Sequence, residues 1–213
     1  MNDRELTIEI YSDVVCPWCF IGKRWLERAL DQTKGAHRAQ VLWRPFQLNP
    51  TMPRSGVERR AYVEAKFGGP RAMKAIQDRL SAVGAQEGID FAFDRITTTP
   101  NTLAAHRVIW FAQREGKQDE VVEALFHGYF VEGAEIGHGE GLLALAGQAG
   151  LDRERLRGFL QSEEGCSAVR EEEARGHRLG IRGVPYFVFN GAEALSGAQP
   201  VDTFVSTIDR LSR

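Results

Sequence analysis

Two of the chain's three cysteines, Cys16 and Cys19, stand two residues apart around Pro17 and Trp18, and the third, Cys166, is remote from them. A pair at this spacing suits dithiol-disulfide exchange or half of a zinc site. Exchange needs a nucleophilic thiolate near neutral pH and a second thiol close enough to resolve the mixed disulfide that forms. Zinc would have to recruit Cys166 and one of His37, His106, His127, His138 or His177, none of which lies at paired ligand spacing. The residues point to exchange, with no bound metal.

The elements that must position the pair can be read around it. Leu6-Thr7-Ile8-Glu9-Ile10-Tyr11 alternates as a strand does, and from Pro17 onward Trp18, Ile21, Trp25, Leu26, Ala29 and Leu30 recur at helical spacing. Proline suits the first turn of a helix, so Cys16 falls at a helix N-terminus. A second strand is expected over Gln40–Phe46, which implies a parallel pair joined by a right-handed crossover. From Leu48 to Leu179 the pattern reads almost wholly as helix, beginning with Val57–Phe67. Strands return at Pro185–Phe189 and Ala194–Ser196 around Asn190-Gly191, a dipeptide suited to the positive φ of a type I′ turn, and a last helix runs from about Pro200 to Leu211. This order, βαβ then a helical block then ββα, is that of an α/β thioredoxin-like fold with a large all-helical insertion. The expected domains are 1–47 with 180–213 for the sheet and 48–179 for the insertion.

Roles follow from position. Cys16, facing unpaired backbone N–H groups and the positive end of the helix dipole, is the expected nucleophile; Cys19, one turn in, is the expected resolving thiol. Pro17 and Trp18 would set how many donors and how much water reach the sulfur. Asp13 reads either as a polar loop residue capping the helix or as a relay for the proton that Cys19 must lose. His106, within an apolar helical stretch, reads as a packed histidine. Cys166, near the start of a helix, reads as a small hydrophobe, or as an auxiliary thiol if accessible and acidified there. Trp18 and Phe20 are candidates to line a groove, Trp25 reads as a core residue or as a further part of that groove, and the charge run Glu171–Arg175 reads as a solvated helix face.

With 213 residues, 43% hydrophobic content and a formal net charge of -2, the chain can bury a core and has no basic excess to attract nucleic acid or anionic membrane. Its start lacks the pattern of a signal peptide, and the expected compartment is the cytoplasm, where a close Cys pair is more often catalytic than structural.

The stretch Ser12-Asp13-Val14-Val15-Cys16-Pro17-Trp18-Cys19-Phe20-Ile21-Gly22-Lys23 resembles the opening of the FrnE-like branch of the DsbA family of dithiol-disulfide oxidoreductases, the polyketide-biosynthesis dithiol-disulfide isomerase type. The resemblance continues through Pro45–Pro50, Asn101–Arg107, Gly183–Phe187 and Ser196–Pro200. It implies an inserted helical domain, a cis peptide bond before Pro185 beside the Cys pair, and backbone groups of Val184 offered to an extended substrate. It implies disulfide-containing polypeptides or small thiols and disulfides as substrates, a cellular reductant (the thioredoxin system or glutathione), and no cofactor beyond the redox-active pair. Two alternatives stay open: a glutathione-dependent transferase or isomerase like the kappa-class and chromene-carboxylate isomerase relatives, which carry serine where this chain has Cys16, and a zinc-binding or redox-sensing module without turnover.

Overall fold

The structure is a computed structural model describing residues 5–33 and 38–211. His37, and the outermost residues of the sheet domain at both chain ends, lie outside the described residues. In β1 (Glu5–Ser12) the pleat puts Leu6, Ile8 and Ile10 on one face and Glu9 and Tyr11 on the other, all buried. The strand is therefore central. It pairs in parallel with β2 (Arg38–Pro45), Ile10 opposite Trp43, and antiparallel with β5 (Tyr186–Phe189), Ile10 opposite Phe187. β6 (Glu193–Ser196) closes the order β2-β1-β5-β6, so the sheet is built from both ends of the chain. Asn190 and Gly191 take φ of 50° and 67° at the β5–β6 turn. The Asn190 side chain also accepts the Thr7 amide at 2.9 Å, which ties the turn to β1.

Helix α1 (Pro17–Gln32) crosses between β1 and β2 and packs against α9 (Val201–Leu211). Between β2 and β5 lie α2 (Arg59–Phe67), α3 (Pro70–Gln86), α4 (Leu103–Arg114), α5 (Gln118–His127), α6 (Gly139–Gln148), α7 (Arg153–Gln161) and α8 (Cys166–Arg178). The expectation of almost wholly helical structure beginning at Val57 needs one correction. Val57–Glu58 (β3) pairs antiparallel with Thr98–Thr99 (β4), and helix begins only at Arg59 because the Glu58 carboxylate caps it, accepting the amides of Arg60 and Ala61 at 2.9 Å each. Among the described residues no helix is long and apolar enough to cross a membrane.

Three sets of contacts hold the helical block on the sheet. Phe20 of α1 is fully buried, stacked on Phe126 at 5.1 Å and edge-on to Phe91 at 6.2 Å, so it belongs to the core and not to a groove. Lys23, 4% exposed, reaches Asp119 at 3.1 Å and Glu123 at 3.2 Å on α5 and bonds Glu27 on its own helix, while Arg24 pairs with Glu123. On the opposite sheet face the α8 charge run is not simply solvated. Arg175 and Arg44 clamp the buried Glu9 carboxylate at 2.9 and 2.8 Å, Glu172 approaches Arg44, and the buried Glu173 accepts the Gln47 amide. Glu9 occupies an interior position, and a buried charge requires partners.

The free edge of β2 is covered as well. The Gln118 side chain accepts the Trp43 amide at 2.9 Å and donates to the Trp43 carbonyl at 3.0 Å, both buried. Gln118→Leu leaves that N–H and C=O without partners, so we expect a loss of about 2–4 kcal/mol, read as a lower urea midpoint at unchanged slope.

Burial pushes the Glu9 and Glu123 carboxyls up, but the hydrogen bonds and charges of Arg175 and Arg44, and of Arg24 and Lys23, prevail and hold both below 4.5. A carboxyl with a lowered folded-state pKa contributes stability that is complete above its unfolded value and lost as pH falls through the folded one. The urea midpoint should therefore be flat near neutrality and fall below about pH 4.5, and Glu9→Gln should flatten that fall while lowering the neutral plateau.

Candidate active site

β1 ends at Ser12, and the loop turns so that the Cys16 amide donates to the Asp13 carbonyl at 2.9 Å. Cys16 then occupies the N-cap of α1 in extended backbone, with Pro17 at the first helical position and the Cys19 amide donating back to the Cys16 carbonyl at 3.0 Å. Both cysteines are free thiols, buried at 6% and 1% exposure. Burial pushes the Cys19 thiol well above its ordinary range, and the neighbouring Cys16 sulfur adds to the rise, against hydrogen bonds from the Ser12 hydroxyl and the Asp13 amide.

The far end of the chain meets this turn. The Cys16 thiol donates to the Val184 carbonyl at 3.6 Å, the Val184-Pro185 peptide bond is cis, and the Pro185 carbonyl accepts the Gly197 amide at 2.8 Å. Gly22 permits the approach: a Cβ there would stand 3.2 Å from both Pro185 Cγ and Phe187 Cζ. A cavity of about 190 Å³ opens beside Cys16, Pro17 and Trp18, with the apolar side chains of Leu48, Met73, Ile76 and Phe93 and the polar ends of Arg59, Tyr62 and Lys66 on its wall. The Arg79 guanidinium lies 5.8 Å over the Trp18 ring. None of these wall residues of α2 and α3 stood out in the sequence, where they read only as parts of amphipathic helices.

The other candidates separate. Asp13 is fully buried and does not cap α1; its Oδ2 accepts the Leu48 amide at 2.8 Å, and its Oδ1 lies 3.4 Å from Nε2 of the buried His106. Trp25 is half-buried and donates to Glu87 at 2.8 Å. Cys166 starts α8 but lines a different cavity of about 420 Å³ that touches neither Cys16 nor Cys19. It is 8% exposed, and burial with the Glu163 hydrogen bond pushes its thiol up, so the acidified, accessible thiol weighed from sequence is not what the fold makes of it. Of the histidines, His127 faces Glu132, His138 lines that second cavity and His177 packs on Phe46. Among the described residues no three histidine, cysteine, aspartate or glutamate side chains gather to hold a metal.

A thioredoxin-type sheet that presents a Cys-x-x-Cys pair at a helix N-terminus against an X-Pro loop defines the class of thiol-disulfide oxidoreductases. Within it the chain belongs to the DSBA-like thioredoxin domain family, whose pattern matches residues 7–209. It is similar to a solved protein of Streptomyces coelicolor described as a probable DsbA oxidoreductase, 32% identical, with a TM-score of 0.87 over 96% of this chain and 89% of that one. Two likenesses are of fold alone. A 2-hydroxychromene-2-carboxylate isomerase is 19% identical with a TM-score of 0.73, over 97% and 96% of the chains. The cytosolic disulfide reductase DsbM of Pseudomonas aeruginosa, solved with GSH, is 19% identical with a TM-score of 0.67, over 96% and 98%.

Thiol labelling of the reduced protein checks these environments. Because the thiolate is the reacting species and Cys19 and Cys166 are both held protonated, iodoacetamide at neutral pH should modify Cys16 first. Peptide mapping should show the other two lagging.

Proposed function

We propose that this protein is a cytoplasmic dithiol-disulfide reductase or isomerase of the FrnE-like branch, acting on disulfides of polypeptides or small molecules. The observation that carries the reading is the junction of the Cys16 thiol, at the α1 N-cap, with the Val184 carbonyl 3.6 Å away, above a buried and protonated Cys19. The Cys16 thiolate attacks one sulfur of the substrate, a Cys16–substrate disulfide forms, and the other half leaves as a thiolate. Cys19 then gives up its proton and attacks the Cys16 sulfur, releasing the second thiolate. The pair is oxidised by two electrons and the substrate reduced. The backbone at Val184 would hold an extended substrate by main-chain hydrogen bonds, with Pro185, Pro17 and Trp18 flanking it, which favours a broad substrate range.

Reduction or isomerisation fits a cytoplasmic setting better than net oxidation, because the glutathione pool opposes disulfide accumulation. Glutathione or the thioredoxin system would restore the dithiol. The start of α9 beside the Pro185 loop offers backbone N–H groups suited to an anionic thiol. The intact Cys16–Cys19 pair favours this reading over a glutathione transferase or chromene-type isomerase.

The test is dithiothreitol-dependent reduction of insulin together with reduction of glutathione disulfide. Cys16→Ser should cost about 100-fold or more, since the thiolate is the nucleophile, and Cys19→Ser should accumulate the mixed disulfide visible by mass. Full activity in Cys16→Ser overturns the proposal. Glutathione-conjugating activity that survives loss of Cys19 would replace it with the transferase reading, and stoichiometric zinc in the purified protein with the metal-bound one.

A further inference from the structure

The loop between β2 and β3, the starts of α4 and α8 and the end of α7 enclose the cavity of about 420 Å³ that Cys166 lines. Exchange chemistry makes no use of it, since it reaches neither Cys16 nor Cys19. Its size is that of a small-molecule site. The charge around it is one-sided: the guanidiniums of Arg54, Arg107 and Arg170 stand against a single carboxylate, that of Glu163, in a chain whose formal net charge is -2.

The innermost of these cations is fixed in place. Arg107 is 6% exposed, and its Nε and Nη2 donate to the carbonyls of Glu164, Phe159 and Ser162 at 2.9, 2.9 and 2.7 Å, while Nη1 has only the Leu160 carbonyl at 3.5 Å. No carboxylate of a described residue pairs with it, so its charge is met by carbonyl dipoles alone. Arg54 and Arg170 are exposed at the mouth, and their guanidiniums form no ion pair or hydrogen bond with another described residue.

Three helices begin at this cavity, and each adds to the same sign. α4 opens at Leu103, α6 at Gly139 just after His138, and α8 at Cys166; Leu103, His138 and Cys166 all line the cavity. None of the three is capped by the side chain of its N-cap residue, though Asn101 accepts the Leu103 amide at 3.0 Å. A helix start carries roughly half a positive charge, which favours anions. The one helix that ends here, α7, has its last carbonyls taken by Arg107, so the negative end is the one that is neutralised.

Positive charge by itself would describe only a patch, and Gln47 turns it into a site. This residue is 7% exposed and lines the cavity; its side-chain nitrogen reaches only Asn101 Oδ1, at 3.5 Å, and its side-chain oxygen has no partner among the described residues. A polar side chain so deeply buried is ordinarily satisfied, and here the missing partner is a donor that enters the cavity. The nearby buried carboxylate of Glu173 is engaged on the Gln47 backbone amide at 2.6 Å and does not line the cavity.

We infer that this cavity binds a small organic anion, with a carboxylate or phosphate group held by Arg54, Arg107 and Arg170 and a hydroxyl or N–H group donated to Gln47. A guanidinium fork fits either kind of anionic head. The site is separate from the thiol pair, and its ligand is a second small molecule, distinct from the disulfide substrate.

Citrate, a hydroxylated tricarboxylate, and ribose 5-phosphate, a hydroxylated phosphate, are the probes, and Cys166 in the cavity wall is the reporter. Reduced protein is alkylated with iodoacetamide with and without each anion, and the Cys166 and Cys16 peptides are followed by mass. With an anion at about ten times its dissociation constant, labelling of Cys166 should slow about 10-fold. Cys16 should keep its rate, because the two cavities share only the Gln47-Leu48 segment, with Gln47 on one and Leu48 on the other. Sodium chloride at equal ionic strength should protect neither thiol. Protection by citrate assigns the carboxylate head, and protection by ribose 5-phosphate the phosphate head. In Arg54→Ala and in Arg170→Ala, both at exposed positions, the concentration giving half protection should rise about 10-fold. A rise in the thermal midpoint with the same anion, present in the wild type and lost in the double variant, reads the binding without the thiol. The inference is overturned if neither anion protects Cys166 or shifts the midpoint up to millimolar concentration, if Cys16 is protected equally, or if protection survives in the double variant; the cavity is then a water-filled structural one.

Discussion

Everything at this site hangs on a close approach between segments 168 residues apart in the chain. The N-cap of α1 must meet the Val184-Pro185 loop, and the Cys16 thiol reaches the Val184 carbonyl only because α1 lies hard against the start of β5. Gly22 makes the room, with Pro185 and Phe187 at the distance where a Cβ would already press. The central position of β1 then fixes the geometry from below, since it pairs with β2 on one side and β5 on the other. A thiol held by that framework keeps its place through a catalytic cycle while the sulfur changes partners.

The helical insertion is joined to the thiol helix itself and not merely to the sheet. Lys23 and Arg24 of α1 bind the α5 carboxylates, and Phe20, the residue after Cys19, is stacked into the aromatic cluster of Phe126, Phe130 and Phe91. The Lys23 ammonium keeps its charge because Asp119, Glu27 and Glu123 outweigh the cost of its burial. Such a cluster is a poor source of net stability but a strict one of register, because any shift strands a buried charge. The insertion can thus present a wall of α2 and α3 side chains to Cys16 and a histidine to Asp13 without blurring either contact.

Several charged residues changed meaning between sequence and structure for one common reason. Glu9 sits in an alternating strand at a position that looks solvent-facing, yet α8 covers that face, so Arg44, Arg175 and Glu172 gather there. Asp13, placed where a helix cap is ordinary, points its carboxylate inward to Leu48 and His106. Cys166 begins a helix, which by itself would favour a thiolate, but burial and Glu163 act the other way. In each case the local pattern was sound and the covering element, distant in sequence, set the outcome.

The sequence by itself determined the thiol pair, its place at a helix N-terminus, the two strand pairs at the chain ends, the Asn190-Gly191 turn and the largely helical middle. These are local properties, carried by spacing, alternation and the special backbones of proline, asparagine and glycine. The short β3–β4 pairing escaped notice because two-residue strands leave no period to read. Only the tertiary structure decided which cavity adjoins Cys16, that Cys166 stands apart, and that His106 faces Asp13 across about 90 residues of chain. Those are matters of long-range packing, and side chains brought together by packing carry no signature in the spacing of either segment alone.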